Sequence, residues 1–150
     1  MKLYLDDVRT PVDTEWEVVR SYDEFVQTVT EVGLSNIEII SLDHDLGPEA
    51  MNEYFNNVVP NYTFNYHSTR FEKTGYDCAK WLVNHFYEIN PEFGQAHRLI
   101  RGGKIPFPKV YVHSVNPIGA ANITGYINNF LHIEGQQQTC VRVQIEHTVK

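Results

Sequence analysis

Ile37-Glu38-Ile39-Ile40-Ser41-Leu42-Asp43-His44-Asp45-Leu46-Gly47 is the stretch on which the fold turns. Residues 37–42 form a short apolar run, the pattern of a buried strand. The run stops abruptly at an acid, a histidine and a second acid. Upstream the same punctuation recurs. Residues 2–5 read as a short buried strand that stops at Asp6-Asp7, and residues 16–20 (Trp-Glu-Val-Val-Arg) read as another. Ser21, with Glu24 three residues on, opens a helix with a capping box. Phe25, Val26, Val29 and Val32 supply its apolar stripe and Gly33 its C-cap.

Downstream, residues 48–73 lose periodicity and carry many Asn and six aromatics: Tyr54, Phe55, Tyr62, Phe64, Tyr66 and Phe71. They read as an insert. Thr74 then caps a helix with Asp77 three residues later, and Cys78, Trp81, Leu82, His85, Phe86 and Ile89 share one face. Asn90-Pro91 ends it. A loop over residues 94–108 leads to a strand at 110–112, which finishes at His113-Ser114. Asn116-Pro117 is an N-cap followed by a proline at N1. That helix runs past Tyr126, Ile127, Phe130 and Leu131 to Gly135. Val141, Val143 and Ile145 alternate with Arg142 and Gln144, as on a half-exposed edge strand.

The order is β-β-α-β-(insert)-α-β-α-β, which implies an α/β domain with a mostly parallel sheet. At 150 residues and 42% hydrophobic, the chain is expected to form one domain, residues 1–150, with a real core. No apolar run approaches the ~18 residues of a membrane span. Met1-Lys2-Leu3-Tyr4-Leu5 lacks the features of a signal peptide, so a cytoplasmic location is expected. Cys78 and Cys140 stand far apart with no CxxC, which argues against a zinc site or a disulfide framework. The net charge of -7 argues against long nucleic acid as a partner. It leaves room for a small phosphate ligand beside a divalent cation, which would reverse the local field.

In an open parallel sheet, ligands bind beyond the carboxyl ends of the strands. Three strands end in polar residues: Asp6-Asp7, Asp43-His44-Asp45 and His113-Ser114. If these strands are neighbours, the groups converge on one rim. Crowded carboxylates raise each other's pKa unless a cation neutralises them, and oxygen ligands suit Mg²⁺. The simpler readings stand beside this one. A strand-end Asp is also an ordinary turn residue or cap. His44 fits a solvated loop, and His113, after an apolar strand, fits a satisfied core histidine.

Leu5-Asp6-Asp7-Val8-Arg9-Thr10-Pro11, Ser41-Leu42-Asp43-His44-Asp45-Leu46-Gly47, Thr74-Gly75-Tyr76-Asp77 and His113-Ser114-Val115-Asn116-Pro117 together resemble the cyclic-phosphate-processing receiver-like family. The likeness runs from Met1 to about residue 131, the insert excepted. It implies a flavodoxin-like, receiver-type open parallel sheet of five strands in the order 2-1-3-4-5, with the insertion after strand 3. It also implies a receiver pocket adapted to cyclic phosphates. The chain departs from receivers, and in the last point from the cyclic-phosphate family, in four ways. Only residues 8–15 separate strands one and two, too few for a helical crossover, so the first helix is reduced or absent. No helix follows the last strand. That strand also lacks the receiver lysine, and no arginine stands at Ala120 or Ala121.

The expected activity is a metal-dependent phosphodiesterase acting on a cyclic phosphate in a nucleotide or RNA end. Asp6, Asp7 and Asp43, with Asp45 near, would hold Mg²⁺ or Mn²⁺. His44 and His113 would act as general base and acid, with Asp43 also catalytic. Arg9, Ser114, Asn116 and Arg70 would bind the substrate, and Asp45 would orient His44 or lend its carbonyl to the metal. The rival is a non-catalytic receiver-like module that senses a nucleotide or docks a protein. Residues 48–73 leave the sheet on the pocket side and are read either as an aromatic lid or as a self-packed loop. The loop over 94–108 belongs to the opposite edge, which leaves Arg98, Arg101 and Lys104 far from the chemistry.

Overall fold

The computed structural model describes residues 1–91 and 106–149. Five strands form one parallel sheet. β1 (Lys2–Leu5) pairs with β3 (Trp16–Val19) on one side and with β4 (Ile39–Leu42) on the other. β5 (Lys109–Val112) lies beyond β4, and β6 (Val141–Arg142) beyond β5. Arg98, Arg101 and Lys104 lie outside the described residues.

Side chains alternate across this sheet. Leu3, Leu5, Ile40, Leu42, Val110 and Val112 enter a core shared with three helices. These are α1 (Tyr22–Val32), α4 (Gly75–Ile89) and α5 (Pro117–Ile133). On the other face Trp16, Val18, Ile39 and Tyr111 are only half-buried. Among the described residues no helix joins β1 to β3 and none follows β6.

The helix starts follow local chemistry. Thr74 and Asp77 form a reciprocal capping box at α4. At α1 only half of the expected box forms: Ser21 accepts the Glu24 N–H, while the Glu24 carboxylate takes the N–H of Arg20 instead of that of Ser21. Gly135, at φ 68°, ends the turn after α5.

Two features go beyond the sequence reading. The stretch after Gly47, read as an insert, has helical structure of its own: α2 (Pro48–Glu53) runs through a π-turn (Tyr54–Val58) into α3 (Val59–Asn61), and a 3₁₀ turn follows at Tyr66–Thr69. Buried Glu53 ties it together, accepting from Asn57, Asn65 and Ser68. Glu72 supplies what Gly47 cannot, accepting the first N–H groups of α2 from Glu49 and Ala50. The last expected strand is also shorter. Val143 donates to Val112, and the chain then leaves the sheet. It returns as β7 (His147–Val149), antiparallel to β2 (Arg9–Pro11). Cys78 and Cys140 are buried free thiols. No helix among the described residues is long and apolar enough to cross a membrane.

Candidate functional site

The register of the sheet builds the site. Leu5 pairs with Leu42 and Leu42 with Val112, so the residues that follow them, Asp6, Asp43 and His113, stand abreast on one rim. Their backbones are fixed by N–H bonds from Asp6 to Val19, Asp43 to Leu5 and His113 to Leu42. Carboxylate oxygens of Asp6, Asp7 and Asp43 lie within 4.8 Å of one another.

Arg9 closes over this cluster, with Nε 2.7 Å from Asp6 Oδ2 and Nη2 3.2 Å from Asp43 Oδ1. Asp6 also accepts the N–H groups of Val8 and Arg9. Burial opposes its charge, but His113, those N–H groups and Arg9 outweigh it and hold Asp6 below the usual carboxylate range. Asp43 ends the other way. Burial first, then the charge on Asp6, pushes it up to about 8 in spite of Arg9. Burial and Asp6 also raise Asp7. Arg9 therefore supplies part of the neutralising charge expected of a metal, yet Asp43 stays under-compensated. Hard oxygen donors from two strand ends with unmet demand for positive charge fit a divalent cation. The Asp45 carboxylate lies outside the cluster.

The histidines are satisfied by the protein. His113 stacks on Tyr4 at 4.2 Å, its Nδ1 is 2.7 Å from Ser41 Oγ, and its Nε2 is 3.1 Å from Asp6 Oδ2. With Asp6 ionised, Nε2–H donates and Nδ1 accepts from the serine hydroxyl. Burial holds the ring below the usual histidine range against the pull of Asp6. His44 is fully buried. Its Nδ1 is 2.6 Å from Asp45 Oδ1, and its Nε2 is 2.8 Å from the hydroxyl of Tyr66. That assigns Nδ1–H to Asp45, with the Tyr66 hydroxyl donating to Nε2. Asn122 donates to the same hydroxyl. Phe64 packs edge-on against the ring.

Not every expected ligand contact is in place. The Asn116 side chain is spent internally: its oxygen caps α5 at Ile118 and Gly119, and its amide donates to Asp45. It is fully buried and supports Asp45, with no group facing a ligand. Arg70 lines a separate pocket beside α4, which Arg9 does not line. Arg9, His113 and Ser114 do share a cleft of about 830 Å³, whose other wall is the segment from Arg142 to His147. Ser114 Oγ accepts the Asn116 N–H, which leaves its own hydroxyl proton to give. The insert does not line this cleft; it seals His44.

Three contributors escaped the sequence reading. Arg20 holds Arg9 in place, donating to the carbonyls of Asp6 and Arg9 and to Thr10 Oγ1. Arg142 donates to the Ser114 carbonyl and brings a second guanidinium to the cleft. Tyr66 completes the His44 network. No local motif marks any of them, because each partner is far off in sequence.

A family model described as "Cyclic-phosphate processing Receiver domain" matches residues 1–129 of this chain. No curated protein and no solved structure matches it.

Proposed function

The chain belongs to the cyclic-phosphate-processing receiver family, and on that premise we propose that it is a phosphodiesterase that opens a cyclic phosphate of a nucleotide or RNA end with water. The observation that carries this reading is the cleft that presents Arg9, His113 and Ser114 beside the buried acids. Asp6, Asp7 and Asp43 would hold Mg²⁺ or Mn²⁺, which when bound supplies positive charge to the phosphoryl oxygens and acidifies water.

The remaining work belongs to the chain. Arg9 binds a phosphoryl oxygen, and the Ser114 hydroxyl donates to another. Water forms a bond to phosphorus and gives up one proton, one ring P–O bond breaks, and the freed ring oxygen takes up a proton to leave as a hydroxyl, so that one water is consumed. His113 lines the cleft and is the better placed histidine to move that proton, exchanging its Asp6 hydrogen bond for one to the ligand. His44 does not line that cleft and acts as a positioning residue, fixing Asp45 and the turn after β4.

One observation favours a non-catalytic nucleotide-sensing module: both nitrogens of both imidazoles are already engaged. A panel of 2′,3′-cyclic, 3′,5′-cyclic and cyclic dinucleotides with Mg²⁺ or Mn²⁺, followed by phosphorus NMR, separates the readings. Ring opening that Arg9→Gln abolishes supports the hydrolase. Saturable binding without turnover supports the sensor, and neither result removes both.

A further inference from the structure

Arg70, Lys73 and Lys80 ring a second pocket, of about 200 Å³, walled by Tyr66 and Tyr76. It draws residues from the insert, from the segment before α4 and from the first turns of α4. We propose that this pocket is a phosphate-binding subsite, separate from the Arg9 cleft. The proposal does not depend on the hydrolase reading.

Three observations carry it. The first is charge segregation. In a chain of net charge -7, three cations meet around one small cavity. Arg70 and Lys73 have no carboxylate within ion-pair distance among the described residues, and Lys80 reaches only Asp77, at 3.8 Å. Asp77 is the one acid in the pocket, and its other oxygen is committed to the Thr74 cap. The pocket therefore carries an excess of about two positive charges with no local counter-ion.

The second is order. Solvated surface cations usually wander, and fixing them opposes binding. Here the Arg70 guanidinium donates to the His67 carbonyl at 3.0 Å and lies 4.6 Å over the Phe71 ring. Lys80 lies 4.9 Å over Tyr76, and Lys73 5.4 Å over Tyr22. Arg70 and Lys73 are held by neutral partners, which aim the charges without neutralising them, while Lys80 shares its charge with Asp77. The third is size. The volume is below the ~300–1,000 Å³ that encloses whole small molecules. It suits one phosphate group whose remaining structure projects into solvent.

The test follows backbone amides of the full chain by NMR as inorganic phosphate is added, with sodium chloride at matched ionic strength as control. Phosphate should shift residues 69–80 in a saturable way that chloride does not reproduce. The double variant Arg70→Gln with Lys80→Gln, both side chains at the surface, should weaken that response by at least about tenfold, the worth of one charge-assisted hydrogen bond. Arg70→Lys, which keeps the charge, should retain most of it. Equal shifts with chloride, or an unchanged response in the double variant, would overturn the subsite. Shifts confined to Arg9 and residues 113–116 would also overturn it while leaving the cleft reading intact.

Discussion

Arg9 spans the two carboxylates that the sheet edge forces together, and both are nearly shielded from solvent. Removing the guanidinium takes the shared cationic partner from these two buried acids, which costs about 3–5 kcal/mol. We expect Arg9→Gln to lose stability on that scale in urea unfolding and to regain much of it with Mg²⁺. A cation response no larger than the wild type's would take these acids off the list of metal ligands. Asp43 gives a pH signature. Folding raises its pKa from ~3.9 to about 8, so between these values the folded state holds the extra proton. Its contribution to metal-free stability is complete below the unfolded pKa and is lost as pH rises through about 8. Asp43→Asn should flatten that decline when unfolding is compared at pH 5, 7 and 9, and should weaken Mg²⁺ binding. An equally steep decline in the variant would assign it to other groups.

At the scale of elements, the site depends on how closely two helices start beside the β4 turn. A Cβ at Gly75 would lie 1.7 Å from the Asp43 carbonyl oxygen, and one at Gly119 would lie 2.3 Å from the His44 ring. Neither glycine has a positive φ, so close approach is the reason for both. Gly119→Ala should cost about 1–3 kcal/mol by overpacking and displace the His44 ring signals in NMR. Unchanged stability and unchanged signals would mean that α5 has slack the packing does not suggest. The insert is bound up with the same histidine. Ala50, Glu53, Val58 and Thr69 are buried, and Phe64 and Tyr66 cover His44. Replacing residues 50–71 with a short Gly-Ser linker should therefore destabilise the domain by about 2–5 kcal/mol and expose His44. It should leave the acids and the Arg9 cleft able to bind metal. Calorimetry with Mn²⁺ and urea unfolding of the same sample check both halves.

For the whole molecule, the balance of charge predicts how cations act. A ligand present at one hundred times its Kd adds ~2.7 kcal/mol of stability, which a thermal melt detects. We expect Mg²⁺ or Mn²⁺ to raise the melting temperature, a chelator to reverse the rise, and Asp43→Asn to abolish it. A rise that survives Asp43→Asn would locate the cation elsewhere on this acidic surface. The architecture adds a consequence. The three long helices among the described residues cover one sheet face, and Trp16, Val18, Ile39 and Tyr111 stay half-buried on the other. Stability therefore rests on a single helical layer, and the small β2–β7 sheet closes the cleft from the open side.

What the sequence by itself determined is local in origin. Short apolar runs marked β1, β3, β4 and β5, and capping residues at Ser21, Thr74 and Asn116 marked the helix starts, because apolar runs and caps are written within a few residues. Acids placed just after apolar runs marked the rim, since parallel strands send their carboxyl ends the same way. The tertiary structure decided everything that depends on distant partners. It spent Asn116 on capping α5, placed Arg70 in another pocket, and brought Tyr66 onto His44 across 22 positions. It also shortened β6 and paired the end of the chain with Arg9–Pro11. A three-residue strand carries too little pattern to name its mate, and a polar side chain is taken by whichever buried partner the packing brings within reach.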